Sequence, residues 1–207
     1  VSTGLVVARY QEDLSWINEL QEINPDLNVY IYNKHPSPIQ HVKGPYRYEY
    51  RGGIGGNEAE TYLYHLMSAL NMSNSLYLDD MTLFVQGNPF DHVRKQQLID
   101  VITNDDSIKG KDFIWLAYHI LDCKVSNDCH HRGLPISEFY TDLFGDTIAP
   151  HFNFGVGGQF AVTRRAVTRT STARYFYAHD LILGKFLFNE PWCILERIWD
   201  QVVGSGI

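Results

Sequence analysis

The run Thr82-Leu83-Phe84-Val85 enters the polar turn Gln86-Gly87-Asn88-Pro89-Phe90-Asp91-His92 without a break. A short apolar run rich in β-branched and aromatic residues fits a central parallel strand covered on both faces, and so an α/β domain. In an open α/β sheet, ligands bind beyond the carboxyl ends of the strands. That rule sets Gln86, Gly87, Asn88, Asp91 and His92 at the mouth of a cleft. Gly87 permits close backbone approach to a ligand, and Pro89 stiffens the turn that aims Asp91 and His92.

The same pattern occurs at the start of the chain. Leu5-Val6-Val7-Ala8 leads into Arg9-Tyr10-Gln11-Glu12-Asp13, then into helical spacing at Leu14, Ile17, Leu20 and Ile23. Arg9, Tyr10 and Asp13 become candidates for the same cleft, although Asp13 equally suits a helix N-cap. Asn28 to Asn33 reads as a second strand after the turn Asn24-Pro25-Asp26, completing a βαβ unit with a right-handed crossover. Lys34 to Pro38 opens a loop. Tyr46, Tyr48 and Tyr50 alternate with charged residues, the pattern of an edge strand, with an aromatic ligand platform as the other reading. Arg51-Gly52-Gly53-Ile54-Gly55-Gly56-Asn57 then precedes a helix carrying Tyr62, Leu63, Leu66 and Leu70. A glycine-rich loop before a helix N-terminus offers free N–H groups and a positive dipole end to an anion. No Walker lysine follows and the spacing is not the dinucleotide fingerprint, so a merely flexible loop stays open.

Asp79-Asp80 resembles a paired-carboxylate metal motif but enters the central strand at its amino end, a strand's length from the cleft at about 3.3 Å per residue. Residues 93 to 121 read as helical, interrupted at Asn104-Asp105-Asp106-Ser107, with Phe113, Trp115, Leu116 and Ile120 in the core. Cys123, Cys129, His130 and His131 invite a zinc reading, yet their spacing matches no usual structural pattern and a solvated loop is the default. The stretch from His151 to Arg165 reads as a glycine-rich turn entering a strand, then two arginines opening a helix. There Gly158 would admit a sugar or phosphate to the backbone, and Gln159 could fix hydroxyls. In the last helix, Glu196 and Arg197 lie either on a solvated face or at the cleft, and amphipathic patterning favours the face.

The chain has 207 residues, 44% hydrophobic and 20% charged, as expected of one folded domain. Its net charge of -7 leaves no basic footprint for nucleic acid. Three cysteines form a sparse, odd set that fits a reducing, intracellular setting. No apolar run of membrane-spanning length and no secretory signal pattern is present, and Asn71-Met72-Ser73 reads as a helix-ending turn rather than a glycosylation site.

Four blocks, VVARYQEDLSW, GNEAETYLYHL, TLFVQGNPFDH, and GGQFAVTRR with LERIW, together resemble a fungal and viral family of uncharacterised domains. More narrowly, they resemble the amino-terminal glycosyltransferase domain of a chlorella-virus glycan-synthesis protein. The resemblance implies a GT-A-like (Rossmann-like) mixed central sheet flanked by helices, with a nucleotide-binding part over roughly residues 1–92 and an acceptor part over roughly 93–207. It also implies transfer of a hexose or deoxyhexose from a UDP-sugar to a glycan acceptor with Mn²⁺ or Mg²⁺; the intracellular setting expected from the cysteines is then the cytoplasm, the host's for a viral chain. Donor contacts are then expected from Ala8, Arg9, Tyr10, Asp13, Asn57, Gln86, Gly87, Gly158, Gln159 and Arg197. Asp91 and Glu196 are expected in the chemistry, and Asp91 with His92 at the metal. The family's Asp-any-Asp reads Gln86-Gly87-Asn88 here, which moves the metal expectation onto Asp91 and His92. A silent nucleotide- or sugar-binding module, or a metal-dependent phosphodiesterase using Asp79, Asp80, Asp91 and His92, are the alternatives.

Overall fold

In chain order the elements are β1 (Thr3–Arg9), α1 (Trp16–Ile23), β2 (Asn28–Asn33), β3 (Arg47–Tyr50), α2 (Asn57–Leu70), β4 (Met81–Gln86), a 3-10 turn (Pro89–Asp91) and α3 (Lys95–Ile102). There follow β5 (Phe113–Trp115), β6 (Ile120–Lys124), α4 (Ile136–Phe144), β7 (His151–Gly155), β8 (Phe160–Thr163), α5 (Arg164–Arg169), α6 (Thr172–Ile182) and α7 (Pro191–Val202). The structure, a computed structural model, describes residues 1–71, 78–125, 131, 133–146, 148–184 and 190–204.

Among these residues a six-stranded sheet runs in the order β3-β2-β1-β4-β8-β5. Strands β3, β2, β1 and β4 are mutually parallel, and β8 is antiparallel to both of its neighbours. A separate antiparallel pair joins β6 to β7. The two central strands have apolar residues on both faces, and alternate residues serve different cores. Val6 and Phe84 join the α2, α6 and α7 side, whereas Leu5, Val7, Leu83 and Val85 join the α1 and α3 side. Phe160 of β8 stacks on Phe84 at 4.9 Å and lies 5.2 Å from Trp199 of α7, ring centre to ring centre. Each such large side chain contributes about 1.5–3 kcal/mol by leaving water.

The expected helix over residues 93 to 121 is replaced by one short helix and two strands. Helix α3 ends at Ile102, where Asn104 takes a left-handed φ of 54° and Gly110 one of 78°. Phe113-Ile114-Trp115 then finds a better partner in the open edge of β8. Ile120, expected in the core, is 58% exposed on β6. The edge-strand reading is met at Tyr48 and Tyr50 in β3, with Tyr46 just before its start and all three residues exposed in part.

One buried carboxylate ties the sheet's outer half to the helices. Glu60, on the first turn of α2 and fully buried, receives Lys34 Nζ at 2.8 Å, Arg51 Nε at 3.1 Å and, at 3.2 Å, faces His179 Nε2 of α6. Lys34 and Arg51 are the first residues after β2 and β3, so both strand ends are fixed on one point. Burial alone would raise the Glu60 carboxyl, but contacts from His179, Arg51 and Lys34 outweigh it and hold the pKa at about 2. A depressed carboxylate stabilises the fold above its unfolded pKa, and the contribution disappears as pH falls through the folded value. Glu60→Gln should therefore cost roughly 3–5 kcal/mol at neutral pH, as expected for removing one partner of a buried charge cluster. Urea unfolding should show the gap to wild type narrowing from pH ~4.5 toward pH ~2; a gap of constant size would remove Glu60 as the acid-sensitive group.

Candidate functional site

Past the carboxyl ends of β1 and β4 lies a cleft of about 300 Å³. Its walls come from Ala8, Arg9, Tyr10 and Glu12 after β1, Lys34 after β2, Asn57 and Glu58 opening α2, and Gln86, Asn88 and Asp91 after β4. Each segment arrives there because a parallel strand ends beside it. Arg9 O accepts from Lys34 N, and Asn33 O from Arg51 N, so the ladder continues one residue past each strand.

The glycine-rich loop reaches the cleft through two left-handed residues, Gly56 at φ 86° and Asn57 at φ 50°. Glycine adopts that geometry freely, and asparagine more readily than other residues. Lys34 Nζ also donates to the carbonyls of Ile54 and Gly55, which clamps the loop against Glu60. The first turn of α2 thus faces the cleft with no side-chain cap.

The β1 turn is built differently. Glu12 accepts from the N–H groups of Tyr10 and Gln11, and its carboxylate lies so close over Gly87 that any Cβ there would strike it. Arg9 is buried, with its guanidinium donating to Asn33 Oδ1 and to the carbonyls of Glu12, Ser37 and Pro38. It fastens the β1 turn to the β2 loop while lining the cleft. Tyr10 is 54% exposed, its ring 4.8 Å from that of His35. Asp13 faces a neighbouring open groove of about 470 Å³ and accepts from Ser15 N and Oγ; those Ser15 hydrogen bonds hold its pKa below the usual value. It braces the turn before α1.

The β4 turn is held by amides. Gln159, fully buried, accepts from Gln86 N and donates to Pro89 O, while Gln86 Nε2 donates to Gly157 O. Trp16 Nε1 donates to Gly87 O. Asp91 accepts from Asn88 Nδ2 at 3.2 Å, and His92 packs its ring on Gly157. Gly158, at φ 62°, sits against Glu196.

Of the expected site residues, Ala8, Arg9, Tyr10, Asn57, Gln86 and Asp91 converge on the cleft, and Gly87 floors it at Glu12. Gln159, Gly158 and His92 support its walls from behind. The solvated-face reading of the last helix is corrected: Arg197 is fully buried, its guanidinium 4.7 Å from the Phe154 ring, and donates to Cys193 O and to Glu196 Oε2. The charge is turned into the protein by its place on the buried face of α7. Glu196 Oε1 accepts from Gly157 N at 2.7 Å. Asp79 and Asp80 remain at the amino end of β4, Asp79 receiving Asn28 and Tyr30 and Asp80 receiving Ser2, so they do not meet Asp91 and His92. Cys129 and His130 lie outside the described residues. Cys123 is disulfide-bonded and so is no thiolate ligand for zinc, which also corrects the reading of the cysteines as a wholly reduced set.

Three cleft residues, Glu12, Lys34 and Glu58, escaped the sequence reading. Lys34 had a signal, since it directly follows a strand parallel to β1, and Glu58 had the same one as Asn57. Burial first, then the charge of Glu196, raise the Glu58 carboxyl above its ordinary range, opposed by its own N–H, Gln86 and Lys34.

Residues 5–205 match the family described as "Protein of unknown function (DUF3431)". The chain belongs to that family. The matched span of this DUF3431 member contains every wall of the cleft. No curated protein and no solved structure matches it.

The glycines of this family member divide by surroundings. At Gly157, φ is 95° and a Cβ would come within 2.6 Å of the His92 ring, whereas Gly53, at φ 78°, has nothing within 4 Å. Gly53→Ala should cost only the left-handed penalty, ~1–2 kcal/mol. Gly157→Ala adds displacement of the His92 ring and should cost ~1–3 kcal/mol more. Chemical denaturation that ranked the two equally would mean that the loop gives way freely.

Proposed function

We propose that the cleft transfers a glycosyl group from a UDP-sugar to a glycan hydroxyl. The observation that carries this reading is the convergence, beyond β1 and β4, of an uncapped helix start, a lysine-clamped glycine loop and oxygen donors around about 300 Å³. That space suits a diphosphate with its sugar, and the adjoining groove beside Asp13 leaves room for more of the nucleotide. The mixed sheet flanked by helices agrees with the resemblance of the four sequence blocks to GT-A glycosyltransferases.

A divalent cation fits this site in part. Gln86 and Asn88 replace the expected carboxylates, and among the described residues no group of three or more His, Cys, Asp or Glu forms a metal cage. Mg²⁺ and similar ions at phosphate sites need only one or two carboxylates, with phosphate and water completing the shell. Asp91 and the Asn88 carbonyl are the hard donors for that role, and His92 adjoins them. Such an ion would neutralise the leaving diphosphate. The chain's own part is to receive the base at Ala8 to Tyr10, to hold the phosphates on the Asn88–Asp91 side of the cleft, and to shape the walls that orient sugar and acceptor.

The amides at 86 and 88 also favour a second reading, a module that binds nucleotide without turnover. Release of UDP from UDP-sugars with Mn²⁺ separates the two. No described helix is long and apolar enough to cross a membrane.

A ligand that binds only the folded state at a hundredfold excess over Kd stabilises it by about 2.7 kcal/mol, or about 5–11 °C in a domain of this size. UDP with Mn²⁺ should give such a shift, while GDP, CDP and UDP with EDTA should give little. Equal shifts from GDP and UDP would show that only the diphosphate is read. Asp91→Asn should weaken Mn²⁺-dependent UDP binding at least tenfold, and Asp79→Asn, at the other strand end, far less. Isothermal titration giving the reverse ranking would move the site.

A further inference from the structure

We infer that Glu58, rather than Glu196, is the group that takes the acceptor's proton, with Glu196 acting as a positioning residue that fixes the loop beside it. The inference rests on the glycosyl-transfer reading above and names the base of that same site.

Four carboxylates lie in or beside the cleft, and three of them already accept hydrogen bonds from neighbouring turns or helices. Glu12 clasps two backbone N–H groups of its own turn. Asp91 takes Asn88 on the β4 side, where the diphosphate's counter-charge belongs. Glu196 has one oxygen on Gly157 N and the other on the buried Arg197, at 2.6 Å. Glu58 lines the cleft from the first turn of α2 beside Gln86, and its carboxylate keeps lone pairs for a substrate. Gln86 Nε2 donates to Gly157 O and Glu196 Oε1 accepts from Gly157 N, so Gln86, Gly157 and Glu196 form one hydrogen-bonded row along the wall that Glu58 shares with Gln86.

The step balances as a direct displacement. The acceptor oxygen forms its bond to the anomeric carbon, and its proton passes to the Glu58 carboxylate. The bond from that carbon to the diphosphate oxygen breaks, its electron pair leaving with UDP. Glu58 then returns the proton to solvent. Displacement in one step inverts the anomeric configuration.

A base works best with proton affinity nearer the working pH than an ordinary carboxylate has. The surroundings of Glu58 act in that direction: burial and the Glu196 charge raise it, and Lys34 opposes them. Burial raises Tyr62 on α2 and Cys193 on α7, and the Glu58 charge adds to both. Arg9, Glu12, Lys34 and Asp91 are the other charged residues that line the same cleft.

The test uses UDP release from UDP-glucose, UDP-galactose and UDP-N-acetylglucosamine with Mn²⁺, water or added oligosaccharide being the acceptor, over pH 4.5 to 9. Glu58→Gln should lower turnover by about 10²- to 10⁴-fold while keeping the UDP-induced melting shift. Glu58→Asp should recover part of the rate and retain an acidic limb, which also serves if the glutamine variant does not fold. Glu196→Gln should stay active with the acidic limb moved to lower pH, since the charge that raises Glu58 is gone. Turnover of Glu58→Gln within threefold of wild type, or an unmoved limb in Glu196→Gln, overturns the inference. If wild type releases no UDP from these donors, the glycosyl-transfer reading itself falls and the role of Glu58 with it, whereas an active wild type beside an active Glu58→Gln removes Glu58 alone.

Discussion

Everything on the outer side of the cleft depends on Glu60. Lys34 and Arg51 follow adjacent parallel strands and would be two like charges drawn out of water side by side; one fully buried carboxylate between them makes the arrangement tolerable. Such a cluster, with its desolvation penalty, does more to decide where elements sit than to add net stability. Its position on the first turn of α2 transmits that decision inward. The amine that answers Glu60 also holds the carbonyls of Ile54 and Gly55, so the glycine loop has one path and the start of α2 one direction.

The inner side is held mainly by neutral groups, with Glu196 on Gly157 N as the charged exception. Gln159 fastens the backbone of Gln86 and Pro89 from within the core, Trp16 fastens Gly87 from the opposite face, and the Gly157–Gly158 turn lies between His92 and Glu196. A charged residue in place of Gln159 would need a counter-ion there, whereas the partners of its side chain among the described residues, Gln86 N and Pro89 O, are neutral backbone groups. This division gives the cleft a charged outer rim and an amide-braced inner wall, and it leaves Glu58 at their junction.

Much of this was legible from residue patterns. β1, β2 and β4 were readable because burial on both faces leaves an uninterrupted apolar run, and the cleft followed from the rule for parallel sheets. The stretch from Lys95 to Lys124 was not, because Phe113-Ile114-Trp115 is too short to show a period and becomes a strand only against β8, which lies about 50 residues away in the register of Phe113 with Val162. Gln159 resembled a ligand contact for the same reason that it makes a good brace: an amide supplies both donor and acceptor, and sequence does not say which side it faces. Arg197 resembled a surface charge because patterning counts charges as outward, whereas the Phe154 ring, the Cys193 carbonyl and Glu196 give this one an inward place. Glu12 and Glu58 were hidden among the acidic residues common at helix starts.

The charges of the cleft constrain what enters it. Its two cationic residues are already engaged, Arg9 by one amide and three carbonyl oxygens and Lys34 by Glu60 and two carbonyls, while Glu12, Glu58 and Asp91 stand around the same space. Like charges about 4 Å apart repel by about 4 kcal/mol at the effective dielectric typical near a protein surface. A bare diphosphate brought against these carboxylates would lose several-fold more than the uncapped first turn of α2 returns, since a helix dipole contributes only about 0.3–1 kcal/mol at an exposed end. Donor and counter-charge therefore have to arrive together on this reading. In the proposed transfer the same repulsion would have a use: once the diphosphate is neutralised, the negative charge left in the cleft would be that of Glu58 and its neighbours, beside the acceptor whose proton is to be taken.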